Sequence, residues 1–152
     1  MKFSIIFSFV LLSTVDATCS GSSKGIFASS TGGCTNKSSA RCTSYEGILC
    51  GSVDGLIKLK EVCRCTITVI GGTEVGHQGG GHGERYKVDP RHNQALNTFI
   101  KNQFKRNKNR ADGSPQWEFL GGNIYTDEVV KNRWSVMCLG IKKLCKWEKQ
   151  RE

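Results

Sequence analysis

This 152-residue sequence predicts a disulfide-stapled α+β domain, a two-layer sandwich in which two amphipathic helices lie on one face of an antiparallel sheet. Three observations carry that prediction. Eight cysteines (Cys19, Cys34, Cys42, Cys50, Cys63, Cys65, Cys138, Cys145) follow an N-terminal segment with the pattern of an export signal. Residues 56–70 alternate apolar and polar with the period of a strand. Two stretches, starting near Asp89 and Thr126, repeat their apolar residues with helical period.

Residues 1–17 read as the signal. Lys2 precedes an apolar run over 3–12, and Val15-Asp16-Ala17 supplies the small residues of a cleavage site after Ala17. The run is shorter than the roughly 20 apolar residues that a membrane-spanning helix needs. The expected location is therefore extracellular, where an even number of cysteines implies a disulfide framework. Removing 17 of 152 residues leaves 135, enough for one domain with a modest core that cross-links would reinforce.

Residues 18–55 are rich in Ser, Thr, Gly and Cys and read as a disulfide-tied N-terminal extension. Within it, Asn36-Lys37-Ser38 is a glycosylation acceptor sequence. The core domain is placed at 56–148, ahead of a charged tail at 149–152. In its first strand Ile57, Leu59, Cys63, Cys65, Ile67 and Val69 alternate with Lys58, Lys60, Arg64, Thr66 and Thr68, which points both sulfurs inward. Residues 71–83 hold seven glycines in thirteen positions and read as a mobile loop.

A first helix follows, with Asp89 as N-cap, Pro90 in the first position, and Leu96, Phe99, Ile100 and Phe104 on one face. After the turn at 112–115, residues 116–120 form a short strand that Gly121-Gly122 ends. A second helix is expected from Thr126, with Asp127 and Glu128 in its first turn, Gly140 at its end, and Val130, Trp134, Met137, Cys138 and Ile141 along one stripe. Residues 141–147 would supply a last strand ending at Cys145 and Trp147. In this arrangement Cys138 faces the first strand, and the favoured pairing is Cys65 with Cys138, leaving Cys63 to Cys145 or the N-terminal segment.

Val62-Cys63-Arg64-Cys65, and Thr126-Asp127-Glu128 followed by Trp134-x-x-x-Cys138 and Cys145, give residues 62–145 a resemblance to the killer toxins of corn-smut viruses and the killer-toxin-like effectors of plant-pathogenic fungi. The resemblance implies a Cys-x-Cys strand, an aromatic-x-x-x-Cys helix and a two-layer α/β fold. It also implies a secreted, non-enzymatic virulence protein that binds a host or competitor-cell target. Residues 89–107 lack the cysteine usual in the first helix of that family. The dibasic pair Lys105-Arg106 matches the family's processing sites, although a charged pair at a helix end is usually solvated surface.

Charge points the same way. Against 13 acids stand 22 Lys and Arg, a formal +9, and Lys2 cancels Asp16 within the signal. Arg85, Lys87, Arg91, Lys101, Lys105, Arg106, Lys108 and Arg110 oppose only Asp89 between 85 and 110 and form the candidate binding surface. Such a surface suits an acidic protein, an anionic membrane, a cell-wall polymer or nucleic acid, met by the protein as a monomer.

Two alternatives remain open: a membrane-active antimicrobial protein, and a secreted basic ribonuclease using His82, Glu84, Arg85, Lys87 and His92, since phosphodiester cleavage needs an acid, a base and cations. His77 and His82 sit in the glycine-rich loop, which would leave catalytic geometry ungoverned. With His92 they offer imidazoles for zinc, copper or nickel, but no carboxylate or thiolate stands at matched spacing, so neither a metal nor another cofactor is expected. The phosphate-loop, Gly-x-Ser-x-Gly and His-Glu-x-x-His signatures are absent.

Overall fold

A computed structural model describes residues 25–77, 82, 84, 86–119 and 121–139. The signal, Cys19 and the strand expected at 141–147 with Cys145 lie outside the described residues, as does the side chain of Cys50. The chain is α+β, with two helices and a seven-stranded mixed sheet of order β1-β2-β3-β7-β6-β5-β4. Only β1 (Ile26–Ala28) runs parallel to its neighbour, β2 (Ile67–Gly71). Antiparallel pairing joins β2, β3 (Lys87–Pro90), β7 (Arg133–Met137), β6 (Asn123–Glu128), β5 (Gln116–Phe119) and β4 (Lys105–Arg106).

The strand expected at 56–70 divides in two. Its first half belongs to helix α1 (Cys50–Cys63), where Leu56 and Leu59, three residues apart, share the buried face. A short apolar run fits either period, and here i, i+3 burial against the sheet prevails. Arg64 ends the helix in the left-handed region (φ 52°), its N–H donating to the Lys60 carbonyl. The strand proper is β2, with Ile67 and Val69 both fully buried.

Helix α2 spans Gln94–Gln103, and its cap is Asn93, whose Oδ1 accepts the Leu96 N–H at 2.9 Å. Asp89 and Pro90 belong instead to β3. Leu96 and Ile100 are buried, on the apolar face that the periodicity assigns. The helix expected from Thr126 is a hairpin: β6 and β7 pair with Thr126 opposite Ser135, Asp127 opposite Trp134 and Glu128 opposite Arg133. A 3-10 turn at Val129–Lys131 connects them, closed by Asn132 in the left-handed region (φ 52°). Val130, placed on the apolar stripe by a helical reading, is wholly exposed. Tyr125, Trp134 and Val136, all good strand formers, are buried by alternation instead.

The strand registers sort side chains onto two faces. Val88, Val136, Tyr125 and Trp117 stand in line across β3, β7, β6 and β5, and join Leu56, Leu59, Leu96, Ile100 and Trp134 in one core. Gln116, Thr126 and Ser135 line up on the other face, and the Gln116 amide donates to Thr126 Oγ1 at 2.8 Å. Glu128 and Arg133 share that face, so one side of the sheet is polar and still shielded from solvent.

Two disulfides are formed among the described residues, Cys34–Cys42 and Cys63–Cys65. The bridge expected between Cys65 and Cys138 is not. Once 50–63 is helical, the two sulfurs of Cys-x-Cys flank a left-handed turn and reach each other. Cys138 holds a buried free thiol against α1, 4.0 Å from the Ser52 carbonyl, and burial pushes that thiol up to about 12. Asn36 lies in an exposed turn, where its sequon is accessible. No helix among the described residues is long and apolar enough to cross a membrane.

Candidate metal centre

The end of β2 begins the site. Pairing between β2 and β3 shifts between Val69 and Gly71, which sets Gly71 opposite Asp89. A Cβ at Gly71 would stand 2.9 Å from both Asp89 Oδ2 and His77 Cε1, so the missing side chain is what lets strand and loop close together. Gly72 fits more tightly still, since a Cβ there would meet the Ser44 carbonyl oxygen at 2.0 Å.

Glu74 then ties the loop down. Its buried carboxylate accepts the Ser44 N–H at 2.7 Å and the Gly72 N–H at 3.0 Å, and lies 2.6 Å from His77 Nε2. Burial alone would raise its pKa, but the His77 contact and the backbone N–H donors outweigh that and hold the carboxyl below its ordinary value. The segment expected to be mobile is thus anchored at Thr73, whose hydroxyl donates to the Glu46 carbonyl at 2.9 Å, and at Glu74.

His77 and His82 stack with ring centroids 3.7 Å apart and planes 9° from parallel. His82 is 2% exposed, and its Nδ1 donates to the Gly72 carbonyl at 2.6 Å. In the neutral ring that tautomer leaves a lone pair on Nε2. Nε2 points at Asp89 Oδ2, 3.2 Å away. The two atoms therefore face each other in a buried place without a well-formed hydrogen bond between them. Arg133 Nη1 lies 2.7 Å from the same oxygen, yet neither Asp89 oxygen nor His82 Nε2 has a well-formed hydrogen-bond partner. The Arg133 contact is an ion pair of poor hydrogen-bond angle, and it leaves the carboxylate under-coordinated. Arg133 is itself held by Glu128, its Nε donating to Oε2 at 2.8 Å.

His77, His82 and Asp89 each offer a donor atom, and the three atoms lie within 4.8 Å of one another. Two imidazoles and one carboxylate are the donor set of zinc and its first-row neighbours, and three protein ligands leave a coordination position for water or substrate. Each ligand has an orienting partner: Glu74 on His77, the Gly72 carbonyl on His82 and Arg133 on Asp89.

His77 and His82 come together as sequence candidates, but His92 does not join them. Its Nε2 lies 3.1 Å from Asp127, its ring meets Trp134 edge-on, and its pKa is lowered chiefly by burial. Glu84 is exposed, and Arg85 lies outside the described residues. The carboxylate judged missing from the sequence is Asp89, seven residues after His82. An Asp-Pro pair ahead of a helical pattern resembles a cap, and that resemblance hid its place on a buried strand.

The basic stretch is divided by the fold. Lys87 is buried on the polar face of the sheet, where desolvation lowers its pKa. Lys101 is 2.8 Å from Asp127, while Arg110 pairs with Asp112 and Glu128. Arg91, Lys105, Arg106 and Lys108 face solvent, with Arg106 stacked 4.8 Å over Trp117. Compared with protein-family models, curated proteins and solved structures, the chain has no match.

Proposed function

We propose that this chain is an exported metalloprotein in which His77, His82 and Asp89 hold a zinc-class divalent cation whose open position activates water for hydrolysis. The supporting observation is the convergence of His77, His82 and Asp89, in which His82 Nε2 and Asp89 Oδ2 lie 3.2 Å apart, 2% and 0% exposed, without a well-formed hydrogen bond between them. A cation between them turns an unfavourable contact into two ligand bonds. Bound water would lose a proton far more readily than bulk water, and the buried Lys87 and partly buried Arg133 on adjacent β3 and β7 suit an anionic substrate or developing oxyanion.

Export belongs to the same reading, supported by the signal-like N-terminus and a cysteine-rich chain with two disulfides formed among the described residues. So does action on a host or competitor-cell target. Kinship with killer toxins rests on cysteine spacing; Cys63–Cys65 stands at a helix end and Trp134–Met137 on a strand, the reverse of the expected elements. We read the two helices as one layer because Leu56, Leu59, Leu96 and Ile100 share a core.

The test is zinc titration of oxidised protein stripped with EDTA, followed by calorimetry. One equivalent should bind to wild type and to His92→Ala, and none to His82→Ala or Asp89→Asn, with circular dichroism confirming that all four fold. A proton shared by His82 and Asp89 instead of a metal would leave wild type and His82→Ala alike. Zinc-dependent turnover of p-nitrophenyl acetate or of RNA then separates water activation from a purely structural ion.

A further inference from the structure

We infer that Cys63–Cys65 is a thiol–disulfide exchange site that oxidises dithiols of an extended partner segment. Four structural features converge on it. The bridge joins residues two apart in sequence, whereas Cys34–Cys42 spans eight, so it restricts the unfolded chain least and has the weaker structural reason to exist. It lies at the end of α1, with Cys63 partly exposed and Cys65 at 8%, so one sulfur is open to attack and the other sheltered. The Cys65 N–H donates to Cys63 Sγ at 3.2 Å, a donor already aimed at the sulfur that becomes a thiolate on reduction. Finally, Cys63 borders a groove lined along α2 by Gln94, Thr98, Phe99 and Asn102, uncharged donors and acceptors around one apolar ring. An extended segment lying along this face of α2 would pass beside Cys63.

A partner thiolate attacks Cys63 Sγ, the Cys63–Cys65 bond breaks, and Cys65 leaves as a thiolate that takes a proton from solvent. The partner's second thiolate attacks its own sulfur in the mixed disulfide, forming the partner disulfide and expelling Cys63 as a thiolate beside the Cys65 N–H. The partner loses two electrons and the Cys63/Cys65 pair gains them. A small-molecule disulfide such as oxidised glutathione restores the bond by the same exchange in reverse. Cys138 takes no part, since its sulfur packs at the other end of α1, near Ser52 and Gly55.

The experiment follows oxidation of a reduced two-cysteine peptide by full-length protein with oxidised glutathione, using maleimide labelling and mass spectrometry to report each pair. Exchange at Cys63–Cys65 with Cys34–Cys42 intact and circular dichroism unchanged is expected, together with peptide oxidation at least tenfold faster than by glutathione alone. Cys65→Ser, with no internal bond to open, should carry glutathione on Cys63 by mass spectrometry, and Cys63→Ser should fall to the background rate. Asn102→Arg, in the groove and remote from the sulfurs' bonding, should slow the peptide more than free glutathione. The inference is overturned if Cys63–Cys65 is reduced only as the fold unravels, or if wild type and Cys63→Ser oxidise the peptide equally.

Discussion

Two histidine–aspartate pairs lie on opposite sides of the same sheet, and their differences show why only one of them is a candidate metal centre. His82–Asp89 and His92–Asp127 have similar separations, 3.2 and 3.1 Å, and in both the imidazole Nε2 and a carboxylate oxygen lack a hydrogen-bond partner. At His92, however, the rest of the carboxylate is taken by Lys101 at 2.8 Å, and the ring packs on Trp134, whose indole N–H donates to Asn97. Its surroundings are a cation and aromatic rings. At His82 the next group is a second imidazole fixed by its own carboxylate, and all three donors converge. A histidine beside an aspartate is common chemistry; a third donor aimed at the same point is what distinguishes a ligand set from a buried ion pair.

Breaking that comparison should produce the largest effect at Asp89. Asp89→Asn is expected to abolish zinc uptake and, with it, the zinc-dependent rise in melting temperature, worth about 2.7 kcal/mol at a hundredfold excess of metal over its dissociation constant. Asp127→Asn should leave zinc uptake intact, as calorimetry on both variants would reveal. A smaller loss is expected from Glu74→Gln, which removes the charge orienting His77: roughly 10- to 100-fold in zinc affinity, with the site still loading at high metal. Gly71→Ala sharpens the point from the steric side. Its new methyl would meet Asp89 and His77 at 2.9 Å, and about 1–3 kcal/mol of stability should go with weakened zinc binding, measured by denaturant unfolding in EDTA and by titration.

The His92 pair answers to pH. Because burial lowers the folded pKa of His92 below its ordinary 6.5, the unfolded chain binds its proton first. Stability from this group is therefore present above 6.5 and is lost as pH falls from there through the lower folded value. His92→Gln should flatten that part of the stability profile in urea titrations between pH 7 and 5. Smallest of all is Lys101→Ala: the lysine is 45% exposed, so removing its pairing with Asp127 should cost on the order of 1 kcal/mol or less in the same assay.

Local pattern was sufficient where one period ran unopposed. The face of α2 carrying Leu96 and Ile100, the strand at 116–119 and the break at Gly121-Gly122 follow from side-chain spacing and glycine chemistry alone. It failed where two periods overlapped. Leu56 and Leu59 could line a helix in a sequence that also alternates, and Val130 to Met137 could form a helical stripe or a strand beyond a tight turn. In both places burial in the common core chose: Leu56 and Leu59 share one face of α1, and β6 against β7 buries Tyr125, Trp134 and Val136 at once, which a lone helix over the same residues would not.

The candidate site divides in the same way. Two histidines among glycines were recognisable as imidazole donors, because that chemistry belongs to the residue wherever it sits, but without a visible carboxylate they pointed to no metal. The sequence by itself determined the donor types, the cysteine content and the surplus of positive charge, all properties of composition and neighbouring residues. Tertiary structure alone decided that Asp89 completes the donor set, that Cys63 meets Cys65, and that Lys87 is buried while Lys105 is not. Those outcomes depend on strand register and chain reversal, which bring distant residues to one point and which no local period encodes.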